Sequence, residues 1–184
     1  MCAGCTLAWA DAGILSEIKG GVLAHDVPIL GEQKEHGADI NGELLFVSPI
    51  PDDLVAGVGP HWRWMLQPRP TFGFEANTNG DTSQLYVSLT WTADLDTGGV
   101  LWPDHLVFLG ISFGPAYNTG RHHSSSNKHL SLGGNVLFHP ALELGVRLTP
   151  ALSVSAYFDH SSNAGLAREN AGLDNFGMRV GWHF

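Results

Sequence analysis

Between Tyr157 and Phe184 the chain reads YFDHSSNAGLARENAGLDNFGMRVGWHF, and the side chains able to do chemistry are gathered in its first half. His160 stands two residues before Ser162, Asn163 and Gly165 follow closely, and two carboxylates, Glu169 and Asp174, lie downstream. These residue types permit nucleophilic acyl transfer. A histidine removes the serine proton, a carboxylate holds the imidazole in the useful tautomer, and N–H donors steady the oxyanion that develops on the carbonyl. Asn163 and the backbone around Gly165 are the expected donors. A histidine and a serine two apart occur often by chance, so the assignment depends on the elements that position them.

Those elements read as strands. Period-two alternation recurs along the chain and helical periodicity does not. Leu85, Val87, Leu89 and Trp91 alternate with Tyr86, Ser88, Thr90 and Thr92, and Val107, Leu109, Ile111 and Phe113 with Phe108, Gly110 and Ser112. Leu152, Val154, Ala156 and Phe158 share one face of a third segment. In the last, Phe176, Met178, Val180, Trp182 and Phe184 oppose Asn175, Gly177, Arg179, Gly181 and His183. Less regular stretches near 14–26, 37–47, 59–74 and 130–147 bring the number to about eight, the smallest usual for an outer-membrane barrel. SPIPDD, TGG and LTPA read as short breaks between strands, and YNTGRHHSSSNKH as a longer hydrophilic loop.

Composition fits this reading. The chain has 184 residues, 43% of them hydrophobic, which suits one domain with no internal repeat. A formal net charge of −9 excludes a broad nucleic-acid footprint. No apolar run approaches the roughly eighteen residues of a membrane helix, but a spanning strand needs only about ten and shows half its side chains to lipid. The other face of these strands is Ser, Thr, Gly, Asn and Arg, which fits a narrow, filled interior and would make a poor lipid-facing surface. The expected fold is all-β, an eight-stranded antiparallel transmembrane β-barrel of the outer membrane, with a soluble lipocalin-like barrel as the alternative. Trp182 and Phe184 would lie in the interfacial aromatic girdle. A chain closing on an outward phenylalanine resembles the C-terminal signal read by the barrel assembly machinery. At the other end, Ala8-Trp9-Ala10 before Asp11 has the pattern of a signal-peptidase site. Residues 1–10 are therefore read as a signal-peptide remnant and 11–184 as one barrel domain. Cys2 and Cys5 both fall in the remnant, which leaves the domain no disulfide.

Parity then places the reactive residues. With both termini at the periplasmic end, the final strand descends from the outer rim and its predecessor ascends to it. His160 and Ser162 continue the even-numbered face of Leu152 to Phe158, and Asp174 begins that of Phe176 to Phe184, so all three are expected to look outward. Side chains two apart on an extended strand stand roughly 6.5 to 7 Å from each other at the backbone. Ser161 points the other way. Glu169 sits in the loop, off this face, and is the alternative acid.

The stretch FDHSSNAGLARENAGLDNFGMRVGWHF resembles the PagL-type lipid A 3-O-deacylases, outer-membrane esterases of Gram-negative bacteria; the rest of the chain agrees in length and strand rhythm only. The resemblance implies a barrel of eight antiparallel strands with a serine-histidine-glutamate triad on its outer surface, removing the ester-linked acyl chain at the 3 position of lipid A. It puts the histidine at His160, the nucleophile at Ser162, the oxyanion asparagine at Asn163 and the acid at Asp174. At the last position the chain departs from the family, since aspartate is one methylene shorter than glutamate. Neither metal nor organic cofactor is implied. The implied partners are lipid A or lipopolysaccharide as substrate, with outer-membrane lipids around the barrel. A non-enzymatic outer-membrane barrel that keeps a degenerate motif is the rival reading, and the Asp174 replacement is what sustains it.

Three further features have ordinary readings. His122, His123 and His129 lack a carboxylate or cysteine at ligand spacing and read as loop residues. Trp62 and Trp64, flanking Arg63, read as part of an interfacial aromatic belt. Arg168 reads as a solvated loop tip able to meet lipid phosphates.

Overall fold

The computed structural model describes residues 13–95, 106–126 and 128–184, so the expected signal remnant, both cysteines and the TGG break lie outside the described residues. Eight strands follow one another: β1 (Leu15–Ala24), β2 (Ala38–Phe46), β3 (Arg69–Asn77), β4 (Gln84–Leu95), β5 (Leu106–Asn118), β6 (Val136–Arg147), β7 (Leu152–Ser161) and β8 (Leu173–His183). Each pairs antiparallel with its neighbours in sequence, and β8 pairs back onto β1, from Glu17 opposite His183 to Ala24 opposite Phe176. The sheet is a closed barrel.

Period two decides what faces where. On β8, Phe176, Met178, Val180 and Trp182 are exposed while Asn175 and Arg179 are buried. The same outward apolar band continues through Val22, Ile40, Phe74, Val87, Phe113 and Leu142. The interior is packed and polar. Arg179 bonds Glu43 at 2.8 Å and Glu143 at 2.6 Å, and its guanidinium lies 3.6 Å from the Tyr157 ring centroid. Lys19 reaches the same Glu143 at 2.6 Å. Such an interior is the opposite of the apolar chamber that a lipocalin-like binder needs. That alternative is excluded.

Two expected strands begin later than expected, that near 130–147 only at Val136 and that near 59–74 at Arg69. The stretch 59–74 becomes strand only from Arg69; before it come a 3-10 turn (Pro60–Trp62) and a single helical turn, α1 (Arg63–Leu66). Met65 and Leu66 are adjacent apolar residues, which breaks the alternation a half-buried strand requires. SPIPDD is accordingly the start of a long connection between β2 and β3, not a tight turn. That connection lies at the end of the barrel that carries the termini, where Phe184 N–H bonds the Ser16 carbonyl and Val47 N–H the Ile14 carbonyl.

At the opposite rim the connection from β1 to β2 folds over the mouth. His25 bonds Asp39 through Nδ1 at 2.8 Å and Glu35 through Nε2 at 3.3 Å, and Glu35 also accepts the N–H groups of Thr82 and Leu130. One carboxylate thus ties three loops together. Burial opposes charging His25, but the bonds to Asp39 and Glu35 outweigh it and raise its pKa to about 9. Burial likewise opposes ionising Glu35, and His25 with the loop donors overrides it, lowering that pKa to about 2.

Because the folded pKa of His25 lies above its ordinary 6.5, its contribution to stability is complete below 6.5 and is lost as pH rises through about 9. The Tm of the folded barrel in detergent should therefore fall across that window, and His25→Gln should largely remove the fall. An unchanged pH profile in His25→Gln would show that another group is responsible.

Candidate active site

The outer end of the β7–β8 pair brings the histidine and the acid together. His160 and Asp174 are direct cross-strand partners, so their side chains leave the sheet on one face. His160 Nδ1 lies 2.5 Å from Asp174 Oδ1. An ionised carboxylate only accepts, so Nδ1 carries the proton and Nε2 is left to take one. Aspartate, although short, spans the gap because the two backbones stand opposite each other.

Asp174 departs from expectation in one respect. Its parity is outward, yet it is only 2% exposed, because the segment after β1 lies over it. Val27 N–H bonds the Asp174 carbonyl at 2.7 Å, and Leu30 N–H bonds Asp174 Oδ2 at 2.6 Å. One carboxylate oxygen thus faces the imidazole and the other a backbone donor, which fixes the group in place. No sequence signal announces this contact, since the donor is main chain.

The two serines separate as parity requires. Ser161 is fully buried and donates to Gln84 Oε1 inside the barrel at 2.5 Å. Ser162 continues the extended backbone beyond β7 through a two-bond bridge to Phe138, and shares that residue's outward face. It is partly exposed. No hydrogen bond joins the Ser162 hydroxyl to the ring, so serine and imidazole are neighbours on one face and not an engaged pair.

Asn163 organises the loop that follows. Its Nδ2 donates to the carbonyls of Leu132 and Glu169, its Oδ1 accepts from Gly165 and Ala167, and its own N–H bonds Asn170 Oδ1. The Leu166 N–H returns to the Asn163 carbonyl across Ala164 and Gly165, whose φ values of 54° and 78° make a primed turn. The donors expected for an oxyanion are therefore engaged within the loop. Glu169 turns away from His160 and meets His123 at 3.2 Å. Beside Ser162, Pro115, Val136, Phe138, Leu166 and Ala167 line an apolar groove of about 270 Å³.

The remaining sequence features fall elsewhere. His122 bonds Asn135 within its own loop, whereas carboxylates from other loops come to His123, from Glu169, and to His129, 3.7 Å from Asp81 and 3.9 Å from Glu35. Arg63 ties the connection by donating to the carbonyls of Val58 and Ala56. Arg168 is exposed at the loop tip. Gly172 was not singled out by sequence, yet a Cβ there would stand 2.5 Å from His160 Cε1.

Comparison with known proteins fits this geometry. The family described as lipid A 3-O-deacylase (PagL) matches residues 56–183. The crystal structure of the outer membrane enzyme PagL is similar at a TM-score of 0.65 and 16% identity, over 92% of this chain and 100% of that one. The crystal structure of Neisserial surface protein A gives a TM-score of 0.51 and 13% identity, over 91% of this chain and 96% of that one. At such identities the structural likeness concerns the fold. No curated protein sequence matches the chain.

Gly172→Ala should push the imidazole from its seat while leaving the barrel closed. The low-field Nδ1 proton resonance of His160 should shift or broaden, with the heat-dependent gel mobility of the folded barrel unchanged. An unmoved resonance would mean that the ring does not rest on Gly172.

Proposed function

The chain belongs to the lipid A 3-O-deacylase (PagL) family, and on that premise we propose that it is a serine esterase hydrolysing the ester-linked acyl chain at the 3 position of lipid A. It is a β-barrel of the Gram-negative outer membrane. The reading rests on the outward His160–Asp174 pair, two residues from a partly exposed serine.

In the proposed reaction Ser162 Oγ attacks the ester carbonyl while His160 Nε2 takes its proton. Asp174 holds the ring through Nδ1 and stabilises the imidazolium that forms. Collapse of the tetrahedral intermediate expels the sugar oxygen, which receives the proton from His160, and leaves the acyl group on Ser162. Water, deprotonated by the same imidazole, then releases the fatty acid. The apolar groove beside Phe138 suits the acyl chain, which stays in an apolar setting throughout. For the oxyanion, the N–H groups of Asn163 and Gly165 are the proposed donors. Both bond side-chain acceptors, Asn170 and Asn163, whose place the substrate oxygen would take. Neither metal nor organic cofactor enters these steps.

Lipid A mass in cells producing the protein tests the reading. The parent should remove one acyl chain. Ser162→Ala should abolish removal, and Asp174→Asn should slow it on the order of 10⁴-fold, as loss of the acid does in serine proteases. Asp174→Glu should remain active, and Ser161→Ala and Glu169→Gln should keep most activity, all with the folded gel mobility retained. Intact lipid A with a correctly folded parent would favour a non-enzymatic barrel. Activity lost in Glu169→Gln but kept in Asp174→Asn would make Glu169 the acid.

A further inference from the structure

Within the barrel, on its interior face just below the outer rim, Glu75 of β3, His139 of β6 and Asp159 of β7 converge. One ligand atom from each lies within 4.8 Å of the others. All three are buried, His139 and Asp159 completely. His139 hydrogen-bonds through neither ring nitrogen, and Glu75 Oε1 and Asp159 Oδ2 receive no N–H or O–H donor, the two carboxyls standing within hydrogen-bonding reach of each other. An unpaired buried polar group is costly, so three residues each presenting one to a common point call for a shared species there.

The ring of His139 is oriented by packing. It stacks on Tyr86, with centroids 4.3 Å apart and planes 18° apart, which directs its nitrogens without engaging them. Nε2 stands 3.6 Å from Asp159 Oδ1, too long for a hydrogen bond. The other carboxylate oxygens are already oriented: Asn175 Nδ2 donates to Glu75 Oε2 and Asp159 Oδ1, and Gln84 Nε2 to Glu75 Oε2. Such outer hydrogen bonds fix the ligands of a metal.

Charge points the same way. Nine carboxylates are buried; His25 serves Glu35 and Asp39, and the other buried cations are one lysine and one arginine. Those two cations pair with Glu17, Glu43 and Glu143, and among the described residues no lysine or arginine pairs with Glu75 or Asp159. We propose that Glu75, His139 and Asp159 form a structural divalent-cation site, selective for zinc, that braces β3 against β6 and β7. One imidazole with two carboxylates suits zinc, whereas calcium and magnesium prefer all-oxygen sets. The site is separate from the proposed hydrolysis and does not depend on it.

Because the ligands are buried, the ion has to enter during folding. The barrel, unfolded with chelator present and freed of it, is refolded into detergent with or without equimolar zinc chloride, desalted, and assayed for zinc by mass spectrometry. About one zinc per folded barrel should be retained, with a higher Tm than the zinc-free preparation. His139→Phe, which keeps an aromatic ring against Tyr86, and Glu75→Gln should both lose it. A variant lacking the loop histidines, His122→Ala with His123→Ala and His129→Ala, should keep it. Cobalt(II) refolded into the parent should give the intense visible bands of a four-coordinate site with nitrogen and oxygen ligands, and this decides the question alone if the interior variants fail to fold. The proposal is overturned if the folded parent retains no metal, which would mean that the three groups share protons. Retention that survives in folded His139→Phe and Glu75→Gln, or that disappears with the loop histidines, overturns it equally.

Discussion

Closure of the sheet is the constraint from which the remaining features follow. In hydrocarbon no water is available to an open strand edge, so the ladder must return on itself, as it does where β8 meets β1. Once closed, period two gives every strand an outside and an inside with no freedom to exchange them. Apolar residues such as Met178 and Val180 then occupy the lipid face, and Arg179 is committed to the interior with Glu43 and Glu143. A one-residue slip would bury Ser162 and put Ser161 on the surface, so the register of β7 is a condition for any outer-face chemistry.

Much of this was legible because parity is a short-range property. The faces of β7 and β8 follow from residues two apart, and the pairing of His160 with Asp174 follows from the hairpin that joins those strands. Legibility failed where alternation failed or where the partner was distant in sequence. Around Met65 and Leu66 the apolar residues are adjacent, and a helical turn replaces the start of the expected strand. The covering of Asp174 by Leu30 joins positions 144 apart through a backbone N–H, which no side-chain pattern encodes. Glu75, His139 and Asp159 lie on three strands with no fixed spacing, so only the closed barrel shows that they meet.

The loop after Ser162 shows how one polar residue can hold a loop with its side chain while its main-chain N–H stays the proposed oxyanion donor. Asn163 has the donors an oxyanion needs, and the structure uses them to hold the carbonyls of Leu132 and Glu169. Gly133 is part of the same arrangement: a Cβ there would come within 2.5 Å of the Asn163 amide, and its φ of 73° already disfavours a side chain. Below these contacts Leu130, Leu132, Leu137 and Leu173 form an apolar cluster under the loops. Stiff loops at a barrel mouth keep the rim residues of β6, β7 and β8 in one arrangement, which is what preorganised chemistry requires.

The seating of Asp174 against the segment after β1 links the first strand of the chain to its last. Until those strands meet, the carboxylate has its imidazole but lacks the Leu30 donor and stands open to water. A chain whose first and last strands have not yet met therefore lacks this seat for Asp174. The seam works as a safety catch for the proposed chemistry: the seat of Asp174 is completed by the same closure that joins the last strand to the first.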